Sequence, residues 1–275
     1  MKDKLIRKLI PSAPVFARIK GVGSIIDFAD GLIMRKHPEW SHLPPASLRL
    51  RIGVGNKILK NHFQFIELGN SIVLELKNKG YLDTNSNVLE LGCGCGRNAI
   101  SLLQFLGEKG TYIGQDVDID MISWCKNNLQ SKNFHFNFAD VYSKVYNPTG
   151  QPVDSYEFPA EINFCSLIFA VSLFSHLLYK DFNYYISQCS RVLKVGGHLH
   201  MTLFILDFIK DRLNDRWTFS HKLENCYVEN LNFPEAAVAY DLTEIENILS
   251  GHNLSMVEIY NKDIHQQTII AKKCE

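Results

Sequence analysis

The residues whose types and spacing suit chemistry are three glycines and two aspartates downstream of them. The apolar run Val88-Leu89-Glu90-Leu91 leads straight into Gly92-Cys93-Gly94-Cys95-Gly96-Arg97 and then into a helical pattern. Glycines at alternate positions let a backbone turn sharply and pass within contact distance of a ligand. The following helix presents free N–H groups and the positive end of its dipole. A nucleoside, or another ligand with an anionic end, fits such a place. Asp116 closes the next strand, 20 residues beyond Gly96, where a carboxylate can accept both hydroxyls of a ribose. Asp140 closes the third strand and can accept an amino hydrogen of a base. An aspartate after a strand is more often a helix cap or a turn former, so neither acid decides the matter alone. Loop, acid and acid on three consecutive strand ends make a nucleoside site the better reading.

Other constellations have plainer readings beside the chemical one. His176 falls a few residues past the fourth strand, at the edge where parallel sheets bind ligands, and its imidazole can take a proton from a hydroxyl or amine near neutral pH. The plainer reading is a histidine packed at a helix start. Cys93 and Cys95 with His198 and His200 offer two pairs of zinc ligands, but no spacing matches a finger or ribbon, so no metal is expected. Phe134, Phe136 and Phe138 alternate with polar residues as a half-buried strand does, and read as core rather than as a stacking platform for bases.

The elements that must position these residues begin at Asn87, where short apolar strands alternate with longer amphipathic helices, the pattern of βαβ units on a parallel sheet. Strands are expected at Val88 to Leu91, Tyr112 to Gln115, Phe134 to Phe138, Leu167 to Val171 and Leu199 to Leu203. Helices are expected at Ala99 to Leu106, at Ile119 to Leu129, and through Phe182, Tyr185, Ile186, Cys189 and Val192 to a stop at Gly196-Gly197. A last helix, Thr243 to Leu249, precedes two strand-like runs, Leu254 to Tyr260 and Gln267 to Ala271, that suit an antiparallel hairpin. The fold class is α/β, a Rossmann-like seven-stranded sheet with helices on both faces. Residues 1–84 read as a helical cap on the substrate side, and 85–275 as the main domain with an insertion over 205–239. The insertion's aromatics either cover a substrate pocket or form a satellite core.

The glycine run lacks the third glycine of a dinucleotide fingerprint, since Arg97 stands in its place, and no phosphate loop ending in Gly-Lys-Ser/Thr is present. With an acid two positions before Gly-x-Gly-x-Gly, it resembles the first motif of the class I S-adenosylmethionine-dependent methyltransferases. Gly114 to Asp118 through Trp124 to Leu129 looks like the second motif and its helix. Ser172 to Leu177 looks like the motif after strand four, and Arg191 to Gly197 like the helix and turn before strand five. Coverage is about residues 40 to 272. Peripheral features and the Gly-Cys-Gly-Cys-Gly-Arg loop resemble small-substrate members. One departure is that Cys165 and Ser166 open strand four where members usually have Phe-Asp. The resemblance implies S-adenosylmethionine as cofactor, with Gly92, Cys93, Gly94 and Gly96 holding its methionine half. It implies Glu90 facing the ammonium group, and Arg97 or the helix N-terminus facing the carboxylate. Asp116 and Val117 would bracket the ribose, and Asp140 and Val141 the adenine. The plainer reading of Glu90 is a carboxylate that accepts nearby N–H groups, and of Arg97 a solvated side chain at a helix start.

Composition narrows the function. The chain has 275 residues, with 29 Lys plus Arg balancing 29 Asp plus Glu, so nothing draws it as a whole to nucleic acid. Residues 1–36 nonetheless carry eight basic and three acidic side chains, a balance of +5, and Leu5, Ile6, Leu9 and Ile10 share a helical face. This segment suits either packing on the domain or weak contact with an anionic membrane surface. Seven scattered cysteines suit reduced thiols and a cytoplasmic setting, and no signal or membrane-spanning segment is expected. The reading is a methyltransferase acting on oxygen or nitrogen of a small molecule or glycan precursor. The alternatives are a non-catalytic cofactor-binding scaffold and, against Arg97, a nicotinamide oxidoreductase.

Overall fold

The computed structural model describes residue 19 and residues 21–52, 62–209, 217–262 and 266–275. The expected residues Leu5 to Ile10 lie outside them. Helix α1 (Val22–Met34), the short α2 (Ala46–Arg49) and α3 (His62–Asn78) precede the sheet. The sheet is then built by β1 (Asn87–Leu91), α4 (Arg97–Phe105), β2 (Thr111–Asp116), α5 (Ile119–Asn128), β3 (Phe134–Phe138) and β4 (Cys165–Ala170). It continues through α6 (Tyr179–Val192) and β5 (Leu193–Ile205), and closes with α8 (Leu242–Ser250), β9 (Leu254–Tyr260) and β10 (Gln267–Lys273). Between β5 and α8 lie α7 (Leu206–Ile209) and three short strands, β6 (His221–Lys222), β7 (Tyr227–Val228) and β8 (Val238–Tyr240).

Strands β3, β2, β1, β4 and β5 lie side by side and parallel, β10 joins β5 antiparallel, and β9 pairs with β10 at the outer edge. This is the expected seven-stranded sheet with its C-terminal hairpin. The pleat of β1 divides the core. Leu89 and Leu91 pack with Ile186 of α6 and Ile245 of α8, whereas Val88 packs with Val73 of α3, Leu102 of α4 and Ile122 of α5. Phe134 and Phe136 are buried against Tyr112 as core side chains.

Two boundaries differ from expectation. Helix α6 stops at Val192 rather than at the Gly196-Gly197 pair, because buried Leu193 already pairs with Cys165 of β4. Gly196 then lies inside β5 with φ of 79°, a bend in the strand rather than a helix stop. In the insertion, β8 extends the sheet beside the end of β5, with β7 and β6 antiparallel to it. Its Trp217 and Phe219 stack on Phe204 as a small separate core.

The segments before β1 are tied down by buried charge. Arg49 pairs with Asp30 of α1, His62 Nε2 lies 2.7 Å from Asp30 Oδ1, and Ser47 bonds Asp27 through both N–H and hydroxyl. Helix α3 lies so close to α4 that a Cβ on Gly69 would stand 2.5 Å from the Arg97 carbonyl oxygen. Helix α3 thus forms part of one face of the sheet. Among the described residues no helix is long and apolar enough to cross a membrane.

Candidate cofactor site

Because β1, β2 and β3 are parallel neighbours, the glycine loop, Asp116 and Asp140 meet at one edge of the sheet, the carboxyl edge where such sheets bind ligands. The loop's three glycines all take positive φ, 73° at Gly92, 54° at Gly94 and 80° at Gly96. A Cβ on Gly96 would also stand 2.5 Å from Leu129 Cδ1, so the turn requires glycine on both counts. The loop is pinned from β2. The N–H groups of Gly92 and Cys93 donate to the Gln115 carbonyl at 2.9 and 3.0 Å, and that of Gly94 donates to Asp116 Oδ2 at 2.7 Å. Asp116 Oδ1 accepts from the Asp118 N–H at 2.9 Å. A carboxylate has about four acceptor sites, so acceptor capacity remains for a ligand hydroxyl. Burial pushes the Asp116 carboxyl up to about 6, against the lowering effect of its backbone N–H partners.

Glu90 departs from the expectation that it faces a ligand. The pleat turns it into the α4 side of the core, where it is 2% exposed and both oxygens are taken. Oε1 accepts from Asn98 Nδ2 at 2.7 Å and Oε2 from the Tyr112 hydroxyl at 2.6 Å. Burial pushes its carboxyl up to about 7. It thereby orients the Asn98 amide. Asn98 Oδ1 is left buried with no partner, and so is Nε of the adjacent Arg97. One orphan acceptor and one orphan donor therefore begin α4, directly after the loop. They fit a ligand end carrying an ammonium and a carboxylate, and the dipole end of α4 favours the latter. Sequence reasoning missed Asn98, although its place beside Arg97 was a signal.

Cys93 and Cys95 serve the loop through their backbone. Their side chains are buried, and the thiols of Cys93 and Cys125 turn to the Gly94 carbonyl at 3.7 and 3.6 Å. Burial raises the Cys95 thiol to about 12, which keeps it protonated. His198 and His200 lie on β5, beyond β4 from the cysteines' strand. Val117 is half-buried against the core and Val141 is buried. Asp140 is exposed and accepts from Asn147 Nδ2 on one oxygen at 3.0 Å. The carbonyls of Asp140 and Val141 accept from the Gln151 N–H at 3.0 Å and from Asn147 Nδ2 at 3.2 Å, which holds them in a tight loop.

Arg51 also belongs to this edge, and no local pattern marks it. It is buried, reaches Asp118 at 3.2 Å and Asp120 at 2.9 Å, and its carbonyl accepts from the Tyr146 hydroxyl at 3.1 Å. It thereby ties the segment before the sheet to the loops after β2 and β3. Its neighbour Ile52 lies over Gly94, with Cγ2 2.8 Å from where a Cβ would be. His176 ends a 3-10 turn, Phe174–His176, after β4. Its exposed ring shares a 2.8 Å hydrogen bond between Nδ1 and the Glu235 carbonyl. The carbonyl can only accept, so Nδ1 carries the hydrogen and Nε2 the lone pair. Ser166 bridges to the N–H and carbonyl of Asn87, at the opposite end of β1, about 13 Å from the loop at the usual strand rise.

Residues 88–197 match a family model described as a methyltransferase domain. Among solved structures the fold is similar to that of a putative S-adenosylmethionine-dependent methyltransferase from Listeria monocytogenes. The TM-score is 0.51 at 14% identity, over 76% of this chain and 100% of that one. It is also similar to magnesium protoporphyrin IX methyltransferase from Synechocystis PCC 6803 with bound SAM, with TM-score 0.50 at 15% identity over 89% and 97% of the two chains. A third similar fold is an S-adenosylmethionine-dependent methyltransferase from Mesorhizobium loti, with TM-score 0.51 at 11% identity over 71% and 95%. Residues 88–197 therefore match a methyltransferase domain, and the chain has the Rossmann-like fold of these structures.

Proposed function

We propose that the chain is an enzyme that moves a methyl group from S-adenosylmethionine to oxygen or nitrogen of a small molecule or glycan precursor. The observation that carries the cofactor reading is the orphan pair at the start of α4. Arg97 Nε is a donor for the methionine carboxylate, and Asn98 Oδ1 an acceptor for its ammonium. In this reading Asp116 and Val117 take the ribose, and Asp140 and Val141 the adenine. When bound, the cofactor supplies a methyl on a positively charged sulfur, open to attack by a lone pair. What the protein adds is alignment, worth several kcal/mol of barrier when the attacking atom is held in line. Ser166 acts at the far end of β1, so its replacement of the usual aspartate gives no ground for a scaffold that binds without turnover.

We assign His176 as the base. Its ring is fixed by the Glu235 carbonyl through Nδ1, which leaves the lone pair on Nε2. His176→Gln should lower kcat roughly a hundredfold or more and remove the acid limb of the rate profile, which desolvation of the ring moves below the ordinary imidazole value. Full turnover at every pH would end that assignment. The cofactor reading is tested by calorimetry with S-adenosylhomocysteine against NAD, where only the first should bind. Transfer of a labelled methyl into a metabolite extract then separates an enzyme from a scaffold, and its absence alongside tight binding would favour the scaffold.

We also propose that residues 1–36 rest weakly on an anionic membrane surface. Helix α1 leaves Ile25 71%, Phe28 70% and Leu32 47% exposed on one side, with Arg35 and Lys36 at its end. That combination suits an interfacial helix.

A further inference from the structure

A second concavity lies on the α3 face of the sheet, where the ends of β4 and β5 and the start of β10 come together. It has a volume of about 190 Å³ and is walled by Ile72 and Glu75 of α3, by Val171 and Ser172 after β4, and by His200 and Thr202 of β5. Its polar rim is satisfied internally. The Ser172 N–H donates to Thr202 Oγ1 at 2.6 Å, the Ser172 hydroxyl to Gln266 Oε1 at 2.8 Å, and Gln266 Nε2 to the Ser175 hydroxyl at 3.1 Å. His200 differs. It is 1% exposed, its Nε2 lies 3.7 Å from Glu75 Oε1, and its Nδ1 has no hydrogen-bond partner. With the ring hydrogen on Nε2, toward the carboxylate, Nδ1 presents a bare lone pair, and leaving that unmet in a buried wall is costly.

Chain neighbours of its lining residues reach the cofactor loop on two sides. Ser172, itself at φ of 58°, precedes Leu173, whose side chain lies 3.8 Å from where a Cβ on Gly92 would stand. On α3, Ile72 follows Gly69, which abuts the Arg97 carbonyl. A cavity of about 150 Å³ holds benzene, so this space has room for one compact ring. The aliphatic side chains of Ile72 and Val171 suit the faces of such a ring, and the lone pair of His200 suits a hydroxyl on it.

We propose that this concavity is the acceptor pocket and takes a compact hydroxylated ring, with Nδ1 of His200 receiving the hydrogen bond of a hydroxyl that anchors the ring. The inference rests on the methyltransferase reading for its purpose, and His200 is a specificity residue in it, distinct from the base. Phenol is the probe. Against the full-length protein it should bind more tightly than anisole or toluene, roughly threefold to tenfold for one hydrogen bond, and should move the ring resonances of His200 in NMR spectra. His200→Phe should abolish the preference while leaving toluene binding in place. If that variant does not fold, the comparison of phenol with anisole on the unaltered protein still decides. Equal binding of phenol and anisole, or phenol binding that leaves the His200 resonances unmoved, would overturn the proposal. Calorimetry with S-adenosylhomocysteine on the same samples separates the two readings. Nucleoside binding without phenol selectivity removes the pocket alone, and phenol selectivity without nucleoside binding removes the methyltransferase reading alone.

Discussion

At the scale of single residues, the site depends on two carboxylates held by protein donors rather than solvated, Asp116 by the loop and Glu90 by Asn98 and Tyr112. Asp116 both pins Gly94 and offers lone pairs outward, so Asp116→Ala should weaken S-adenosylhomocysteine binding by about 1 to 3 kcal/mol, the cost of unpaired hydroxyls. Unchanged affinity in calorimetry would refute the ribose assignment. Glu90 carries the clearer pH signature. Its carboxyl is pushed up from 4.5 to about 7 by burial. Between those values the unfolded chain is ionised and the folded one is not, so unfolding releases a proton. The stabilising contribution is full below 4.5 and lost as pH rises through 7, on the order of 3 kcal/mol in total. Asp116 acts in the same direction between 3.8 and about 6. Glu90→Gln keeps the shape, with the amide oxygen facing Asn98 and the amide nitrogen donating to the Tyr112 hydroxyl. Urea denaturation should show the variant gaining on the parent between pH 5 and pH 8. Parallel profiles would mean that Glu90 ionises freely in the folded state.

At the scale of elements, the strands that place the site were legible and the contacts between distant elements were not. Val88 to Leu91 and Leu167 to Val171 are apolar runs bounded by turn residues, and a parallel sheet buries such runs on both faces. The start of β5 was hidden because Gly196-Gly197 reads as a helix stop, whereas Leu193 already pairs with β4. Strands β6 and β7, two residues each, are too short to show a period. Arg51 meets Asp118 across a separation of 67 residues, and His200 meets Glu75 on α3. No local pattern encodes either pairing. The closeness of α3 to α4 belongs to the same class, and it yields a prediction. Gly69→Leu must lift α3 off the Arg97 carbonyl, so it should cost about 1 to 3 kcal/mol of stability and disturb nucleoside binding through Arg97. The control is Gly31→Ala in α1, where a Cβ meets nothing within 4 Å. It should be neutral, or stabilising by up to about 1 kcal/mol through helix propensity. Equal melting shifts for both variants would refute the close contact.

At the scale of the whole molecule, a net charge of zero conceals a basic beginning, a balance of +5 over residues 1–36, and within that stretch of sequence α1 has an exposed apolar side. Burying Ile25 and Phe28 in a headgroup layer would contribute roughly 1.5 to 3 kcal/mol each, and the basic residues add attraction that salt screens. Weak, salt-sensitive binding to phosphatidylserine vesicles follows, with little binding to neutral phosphatidylcholine ones. Deleting residues 1–36 is a poor test, because it removes Asp30 and leaves Arg49 buried without its carboxylate, a loss that can cost 3 to 5 kcal/mol or so by itself. Ile25→Ser with Phe28→Ser changes only exposed side chains and keeps the charge and the buried pair. In vesicle sedimentation that double variant should lose most of the binding while melting at the temperature of the parent. If it binds vesicles as the parent does, α1 is a packed element with scattered apolar exposure and the basic segment has no membrane role.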